Sequence, residues 1–435
     1  MEKERTYFCI DMKTFYASVE CAERGYNPFE TNLVVADLTR GKNALCLAIS
    51  PRMKAQGVKN RCRLSDIPPD IRYEVAPPRM QLYIDYAADI YAIYLNYFDP
   101  VDIHVYSIDE SFIDATDYLA MYHTDGPALA RLLMNEIADR LHIPSTAGIG
   151  TNLYLAKIAL DITAKHARDH MGCLDEAGYR RLLWDHTPIT DFWQVAGGTA
   201  RRLAARGIYT MRGIAMAPEE MLYKVFGINA ELLIDHAWGR ESCRIADIKN
   251  YRAETKSVSF SQILPRDYSF MEARTVMQEM AIHGCHELMR RHVITRSVWV
   301  GVGYSGEFGR QMSNGSGRLR AATSLLSLLQ PEVEAVYDRI AVPNIPIRRL
   351  GLSFGNVVDE GCEGYDLFAD WNAIDREKAR ERAVLGIMDR YGKNAVLRGT
   401  DLMPGATQRE RNEMIGGHRA GYDDTRSTGQ AVHAV

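Results

Sequence analysis

The stretch from Thr255 to Phe354 constrains the fold more than any other part of the chain. It predicts a strand (Ser257–Ile263), a helix (Met271–His292), two strands (Ser297–Tyr304 and Arg318–Thr323), a helix (Leu325–Ile340) and a last strand (Arg348–Phe354). Apolar spacing switches between periods of two and 3.6 along it. A βαββαβ order is a self-contained split-βαβ module, able to close its own core. The full 435 residues exceed what one core usually supports, so further domains are expected.

Ahead of that module, Thr6 to Ile10 reads as a strand that Asp11 ends, and Phe15, Val19 and Ala22 then recur at helical spacing. Leu33–Ala36 and Ala44–Ile49 read as short strands parted by the polar turn Thr39 to Asn43. After the Pro-rich run Ile67–Pro78 comes a Tyr-rich helix, Met80–Phe98, and then two strands joined by a tight turn between Asp102 and Thr116. A helix (Leu129–Leu141), a strand (Thr146–Ile149) and a helix (Asn152–Ala167) come next, an α/β or α+β pattern. Short helices with glycines between them fill Gly178 to about Arg240. Beyond Val357 a helix is expected over Asp375–Tyr391, and Gly421–Val435 has the composition of a disordered tail.

Hydrophobic residues at 46% and charged residues at 25% exclude disorder of the whole chain. The net charge of -4 does not announce a nucleic-acid binder, but Tyr251–Gly355 holds 13 Lys+Arg against 9 Asp+Glu. The eight cysteines are scattered without a CxxC pair, as in a reducing compartment. No run approaches the ~18 apolar residues of a membrane span, so the protein is expected to be cytoplasmic, with no membrane partner. No GxxxxGK loop points to ATP hydrolysis. His283, Cys285 and His286, on what reads as a surface helix, lack a fourth ligand for a metal.

Two places set carboxylates where chemistry could occur. Asp11 ends a strand, and strand ends are where ligands bind in α/β sheets. Asp109 and Glu110 are neighbours, and neighbours on a regular strand point to opposite faces, so they converge only at a turn. Carboxylates held together repel unless cations neutralise them. Hard oxygen ligands suit Mg²⁺, and two such ions can stabilise both the attacking and the leaving oxygen of a phosphoryl displacement. Spacing alone leaves open a helix cap at Asp11 and a decorated loop at Asp109-Glu110.

Three motifs go further. D-M-x-x-F-Y-A-S-V-E (Asp11–Glu20), S-I-D-E-S-F (Ser107–Phe112) and G-I-G-x-N-x-x-L-A-K-x-A (Gly148–Ala159), with Lys165 after the third, resemble the motifs of Y-family, translesion DNA polymerases in order and separation. The likeness runs from about Thr6 to Arg398 and is greatest to the UmuC-like branch of Gram-positive bacteria. It implies an α+β multidomain, right-hand polymerase: palm (1–24 and 79–170, a mixed sheet plus helices), small fingers (25–78), helical thumb (171–245, helix-hairpin-helix-like), βαββαβ little finger (251–357) and a C-terminal tail (358–435).

The resemblance also implies roles. Asp11, Asp109 and Glu110, with the Met12 carbonyl, match the ligands of two Mg²⁺ ions. Tyr16 matches the steric gate against a 2′-hydroxyl, beside Phe15, and Lys165 matches a triphosphate contact. Asp114 matches a structural acid, while Gly148 and Gly150 are expected to permit a tight turn. Arg296, Arg318, Arg320 and Arg348 could meet duplex phosphates. Leu367 and Phe368, within G-Y-D-L-F, resemble the peptide that docks on the sliding clamp.

Two departures stand out. In the fingers, Pro51 occupies a Tyr position and Lys54 an Arg position, and lysine cannot form a bidentate fork to phosphate, so Arg52 could share the task. In the thumb turn, Gln194 and Ala196 replace glycines, and Gly197 and Gly198 could take over with a shifted turn. The expected reaction adds deoxynucleotides from their triphosphates to the 3′-hydroxyl of primer-template DNA, by a monomer of low fidelity that serves damage tolerance in an SOS-type response. The rivals are a template-independent nucleotidyl transferase and a weakened polymerase-like subunit kept as a DNA- or clamp-binding partner.

Overall fold

The computed structural model describes residues 5–252, 257–306, 312–362, 364 and 370–421. They form two compact units, one of the described residues up to 251 with 418–421 and one of those from 252 to 417.

The first unit is built on a mixed five-stranded sheet, β1 (Tyr7–Met12), β5 (Ile103–Val105), β6 (Glu110–Asp114), β7 (Ser145–Gly150) and β8 (Met171–Leu174), in the order β5-β6-β1-β7-β8. Only β7 and β8 run parallel. β1 is almost continuously apolar because it is central and covered on both faces, with Phe8, Cys9 and Ile10 fully buried. Helices α1 (Phe15–Glu23), α3 (Met80–Leu95), α4 (Tyr118–Met121), α5 (Gly126–Leu141) and α6 (Leu153–Ile158) accompany it. α6 continues as one π-helical turn, Ala159–Thr163, and a 3-10 turn, Ala164–His166, where the sequence predicted one helix.

Gly148 and Gly150 do not make a turn. Both lie within β7, without left-handed φ angles. A Cβ on Gly148 would lie 2.1 Å from the Ala156 carbonyl oxygen, and one on Gly150 would lie 2.2 Å from the Ala156 nitrogen. Glycine is required there because the helix backbone rests directly on the strand.

Residues 33–76 carry a small sheet of their own, β3 (Ala48–Ile49), β2 (Leu33–Val35) and β4 (Glu74–Ala76), with a core around Val34, Ile49, Met53 and Ile67. Helix α2 (Pro51–Ala55) begins there. Ser50 caps it, accepting from the Met53 N–H, and Pro51 fills the first helical position, where its missing N–H costs nothing. Six short helices come after β8: α7 (Glu176–Leu183), α8 (Gly197–Ala204), α9 (Met211–Ala215), α10 (Glu219–Phe226), α11 (Asn229–Trp238) and α12 (Ile245–Asn250). The turn before α8 is not shifted onto Gly197 and Gly198, which start the helix. Gln194 itself takes the left-handed conformation, with φ 67°.

The second unit has the expected βαββαβ order: β9 (Ser257–Tyr268), α13 (Phe270–Arg290), β10 (Val293–Tyr304), β11 (Ser313–Thr323), α14 (Leu326–Ile340) and β12 (Ile347–Gly355). The strands form an antiparallel sheet, β11-β10-β12-β9. Its core packs Val298, Val300, Val302, Leu350, Leu352 and Phe354 against the helices.

Residues 371–417 pack onto this unit and are more than a tail. α15 (Trp371–Tyr391) pairs with α13 through His286–Glu381 at 3.1 Å, and Arg398 reaches the same carboxylate at 2.6 Å. Buried Glu279 accepts from the N–H groups of Thr407 and Gln408 and from the Thr407 hydroxyl. The helix bearing His283, Cys285 and His286 is therefore covered: Cys285 and His286 are buried, and the imidazole of His286 is engaged by an acid. Leu367, Phe368 and residues 422–435 lie outside the described residues.

Candidate active site

The three acids lie at the end of β1 and in the turn beside it. Asp11 pairs with Glu110 across the β1–β6 ladder, and the Met12 N–H donates to the Asp109 carbonyl at 2.9 Å. Asp109 lies in the turn between β5 and β6, as the broken alternation required, and accepts from the Ser107 hydroxyl at 2.6 Å. Burial, then the charges of Asp109 and Glu110, push the Asp11 carboxyl up to about 7, against partial relief from Lys157.

Lys157 is not solvated. It is buried in α6, 2.9 Å from Glu110 and 3.1 Å from Asp161. Burial opposes its charge, but Cys9, Glu110 and Asp161 together raise its pKa. The Cys9 thiol donates to Glu110 at 3.0 Å. With Glu110 so engaged, no three His, Cys, Asp or Glu side chains among the described residues are drawn together closely enough to enclose an ion. The donor set still fits a hard divalent cation, since Asp11, Asp109 and Glu110 supply only carboxylate oxygens and an excess of negative charge.

Phe15 is buried, so it belongs to the core, while Tyr16 is half-buried and stacks on Tyr83 with ring centroids 4.4 Å apart. Tyr83 is fixed by its hydroxyl, which donates to the fully buried Glu20 at 2.7 Å. Glu20 is also clamped by Arg79 at 2.8 Å and by Arg24. Burial alone would raise the pKa of Glu20, but these donors hold it below the usual carboxylate range. Glu20 closes the first motif, so its importance was visible in the sequence. Its partners Arg79 and Tyr83 lie far along the chain and were not.

Lys54 is exposed at its own surface yet crowded by enough protein to lower its pKa, through desolvation and the charge of Lys165 against the pull of Asp11. Lys165 extends into solvent, with Asp161 4.0 Å away. Arg52 is tied to the Glu30 carbonyl. Lys13 was passed over in the sequence. It is half-buried, and its pKa is lowered by desolvation and by Lys54, against the pull of Asp11.

In the second unit, Arg296 and Arg318 line an open cavity of about 530 Å³ together with Ser297, Ser316, Gly317 and Asn356. Arg318 and Arg320 are exposed on the same side of β11. Arg348 sits at a register shift in β12, 3.9 Å from Asp267, while Arg349 is exposed and pairs with Gly303. Arg349 falls on the open face, opposite in direction to the buried Leu350, Leu352 and Phe354, as regular strand alternation requires.

Profiles of the impB/mucB/samB family match residues 10–161 and, for its C-terminal domain, residues 255–367. A Bacillus subtilis (strain 168) protein assigned to UV-damage repair, UvrX, is 30% identical over 431 residues, covering 96% of this chain and 98% of its own. DNA polymerase IV 2 of the same organism is 29% identical, covering 96% of this chain and 100% of its own. Among solved structures, a Y-family DNA polymerase chimera of Dbh and Dpo4 matches with a TM-score of 0.62 at 20% identity, covering 81% of this chain and 99% of that one.

The chain belongs to the impB/mucB/samB family, the Y-family DNA polymerases, and has their multidomain fold. It is a DNA-directed DNA polymerase of the UmuC-like, translesion type, acting on primer-template DNA and deoxynucleoside triphosphates in DNA repair. Neither a template-independent transferase nor an inactive subunit is favoured. Among the described residues no helix is long and apolar enough to cross a membrane.

Proposed function

We propose that Asp11, Asp109 and Glu110, with the Met12 carbonyl, hold two Mg²⁺ ions for nucleotidyl transfer. The observation that supports this reading is that Asp11 pairs with Glu110 across β1 and β6, with Asp109 next in the turn, and that burial and these two charges push Asp11 up to about 7. When bound, the ions lower the pKa of the primer 3′-hydroxyl and neutralise the leaving pyrophosphate. Tyr16, braced by Tyr83, lies against the sugar and rejects a 2′-hydroxyl. Lys54 and Lys165 offset triphosphate charge. Lys157 holds Glu110 in place and offsets part of the site's charge.

Arg296, Arg318, Arg320 and Arg348 of the second unit bind duplex phosphate without sequence preference and in a salt-dependent way. We assign residues 1–24 and 79–170 to the palm, 25–78 to the fingers, 171–245 to the thumb and 251–357 to the little finger. The enzyme is a cytoplasmic monomer that docks on a sliding clamp through Leu367 and Phe368.

The test is primer extension on an undamaged template with Mg²⁺ and four deoxynucleotides. Short, distributive extension by the wild type and none by Asp109→Ala/Glu110→Ala supports the metal site. Equal extension by both would remove it.

A further inference from the structure

Lys13 stands two residues after Asp11, with its N–H fixed to the Pro144 carbonyl at 2.8 Å. Its ammonium is held 3.0 Å from Nδ1 of His170. That contact needs the tautomer in which Nδ1 accepts and Nε2 carries the proton. His170 is anchored in turn, because its carbonyl accepts from the Ala147 N–H of β7 at 3.0 Å. It also occupies the left-handed region, with φ 59°, a strained conformation for a non-glycine residue.

A half-buried ammonium is costly unless something shares its charge. Among the described residues no carboxylate forms an ion pair with Lys13, whose polar side-chain contact is the neutral acceptor of His170. The nearby charges that act on it are Lys54, which repels it, and Asp11, which attracts it. Folding therefore gathers Lys13, Lys54 and Lys165 around one acidic strand end. Lys165 has the Asp161 carboxylate 4.0 Å away.

We propose that Lys13 is a third cation for the triphosphate of the incoming deoxynucleotide, and that His170 is its positioning residue. The inference rests on the polymerase reading of the site and adds to it. Lys54 supplies a point charge from α2 where a forked guanidinium would make two bonds. Lys13 supplies another from the end of β1, so the phosphate oxygens are met from two elements. The imidazole orients the ammonium without neutralising it, which a carboxylate would do.

Steady-state extension of a primer-template by Lys13→Met tests this. A hydrogen bond to a charged group corresponds to about ten- to hundredfold in affinity. KM for deoxynucleotide should rise by that factor, with duplex affinity and melting temperature unchanged. Inhibition by inorganic pyrophosphate should weaken in parallel, and Lys13→Arg should recover part of the loss. His170→Ala should raise KM more than it lowers kcat, and His170→Gln, which keeps an acceptor, should do so less. An unchanged KM and unchanged pyrophosphate inhibition in Lys13→Met would overturn the proposal. Failure of the wild type to extend any primer would instead sink the polymerase reading. Even then, equilibrium binding of a non-hydrolysable deoxynucleoside triphosphate by wild type and Lys13→Met would decide the role of Lys13 separately.

Discussion

Glu110 pairs with Asp11 across the sheet, yet its carboxylate is held by Lys157, 2.9 Å from one oxygen and 3.0 Å from the other. The buried lysine is thus the internal counter-charge of an acidic site. It reaches Asp161, one turn further along, with the same ammonium.

Lys157→Met should therefore be severe. It leaves Glu110 and Asp161 without their shared partner, and breaking a buried pair from one side costs about 3–5 kcal/mol. Thermal unfolding at neutral pH should show the loss. An unchanged melting temperature would mean that water already screens the pair.

Asp11 makes the metal-free protein sensitive to pH. Its carboxyl titrates at about 7 in the fold against 3.8 in the unfolded chain. A raised folded pKa gives stability that is complete below the unfolded value and is lost as pH climbs through the folded one. Metal-free wild type should lose stability between pH 4 and pH 7, with a ceiling of about 4 kcal/mol from the three-unit shift. Asp11→Asn should flatten that dependence while abolishing extension. Mg²⁺ at pH 8 should raise the melting temperature of the wild type and not of the variant. Parallel melting curves for the two proteins across this range would refute the assignment.

Gly148→Ala tests the strand–helix contact. A Cβ there would lie 2.1 Å from a backbone oxygen and 2.3 Å from the Leu160 nitrogen, which cannot swing aside as a side chain would. Overpacking of this kind costs about 1–3 kcal/mol, and more where backbone must shift. Chemical denaturation should place Gly148→Ala at or beyond the upper end. Gly198→Ala, with open space around the new methyl, serves as the mild control.

Gln194→Gly should move stability the other way. Gln194 holds φ 67° in the turn before α8. A non-glycine residue in that region costs about 1 kcal/mol or more, partly offset by the extra freedom glycine has when unfolded. A net gain of about 0.5–1 kcal/mol in denaturant unfolding is expected. If phosphate of the duplex approaches this turn, the same variant should also bind DNA more tightly, which filter binding at several salt concentrations would register.

Local periodicity accounts for part of the element order in the first unit and for the βαββαβ order of the second, while α2, β4, α4 and β8 escaped it. β1 and α1, the β5–β6 turn that carries Asp109, and the whole βαββαβ module follow from periodicity that each segment holds alone. Asp11, Asp109, Glu110, Tyr16, Lys54 and Lys165 could be singled out as candidates because motif residues sit at fixed offsets along the chain. Pairings between distant segments could not. Glu20 finds Arg79 and Tyr83, Lys157 finds Glu110, and Glu279 finds Thr407, each across tens of residues or more. Close packing rather than a turn fixed Gly148 and Gly150. Only tertiary structure decides such matters. Local pattern sets which face a residue occupies, whereas burial and charge depend on what the rest of the chain brings against that face.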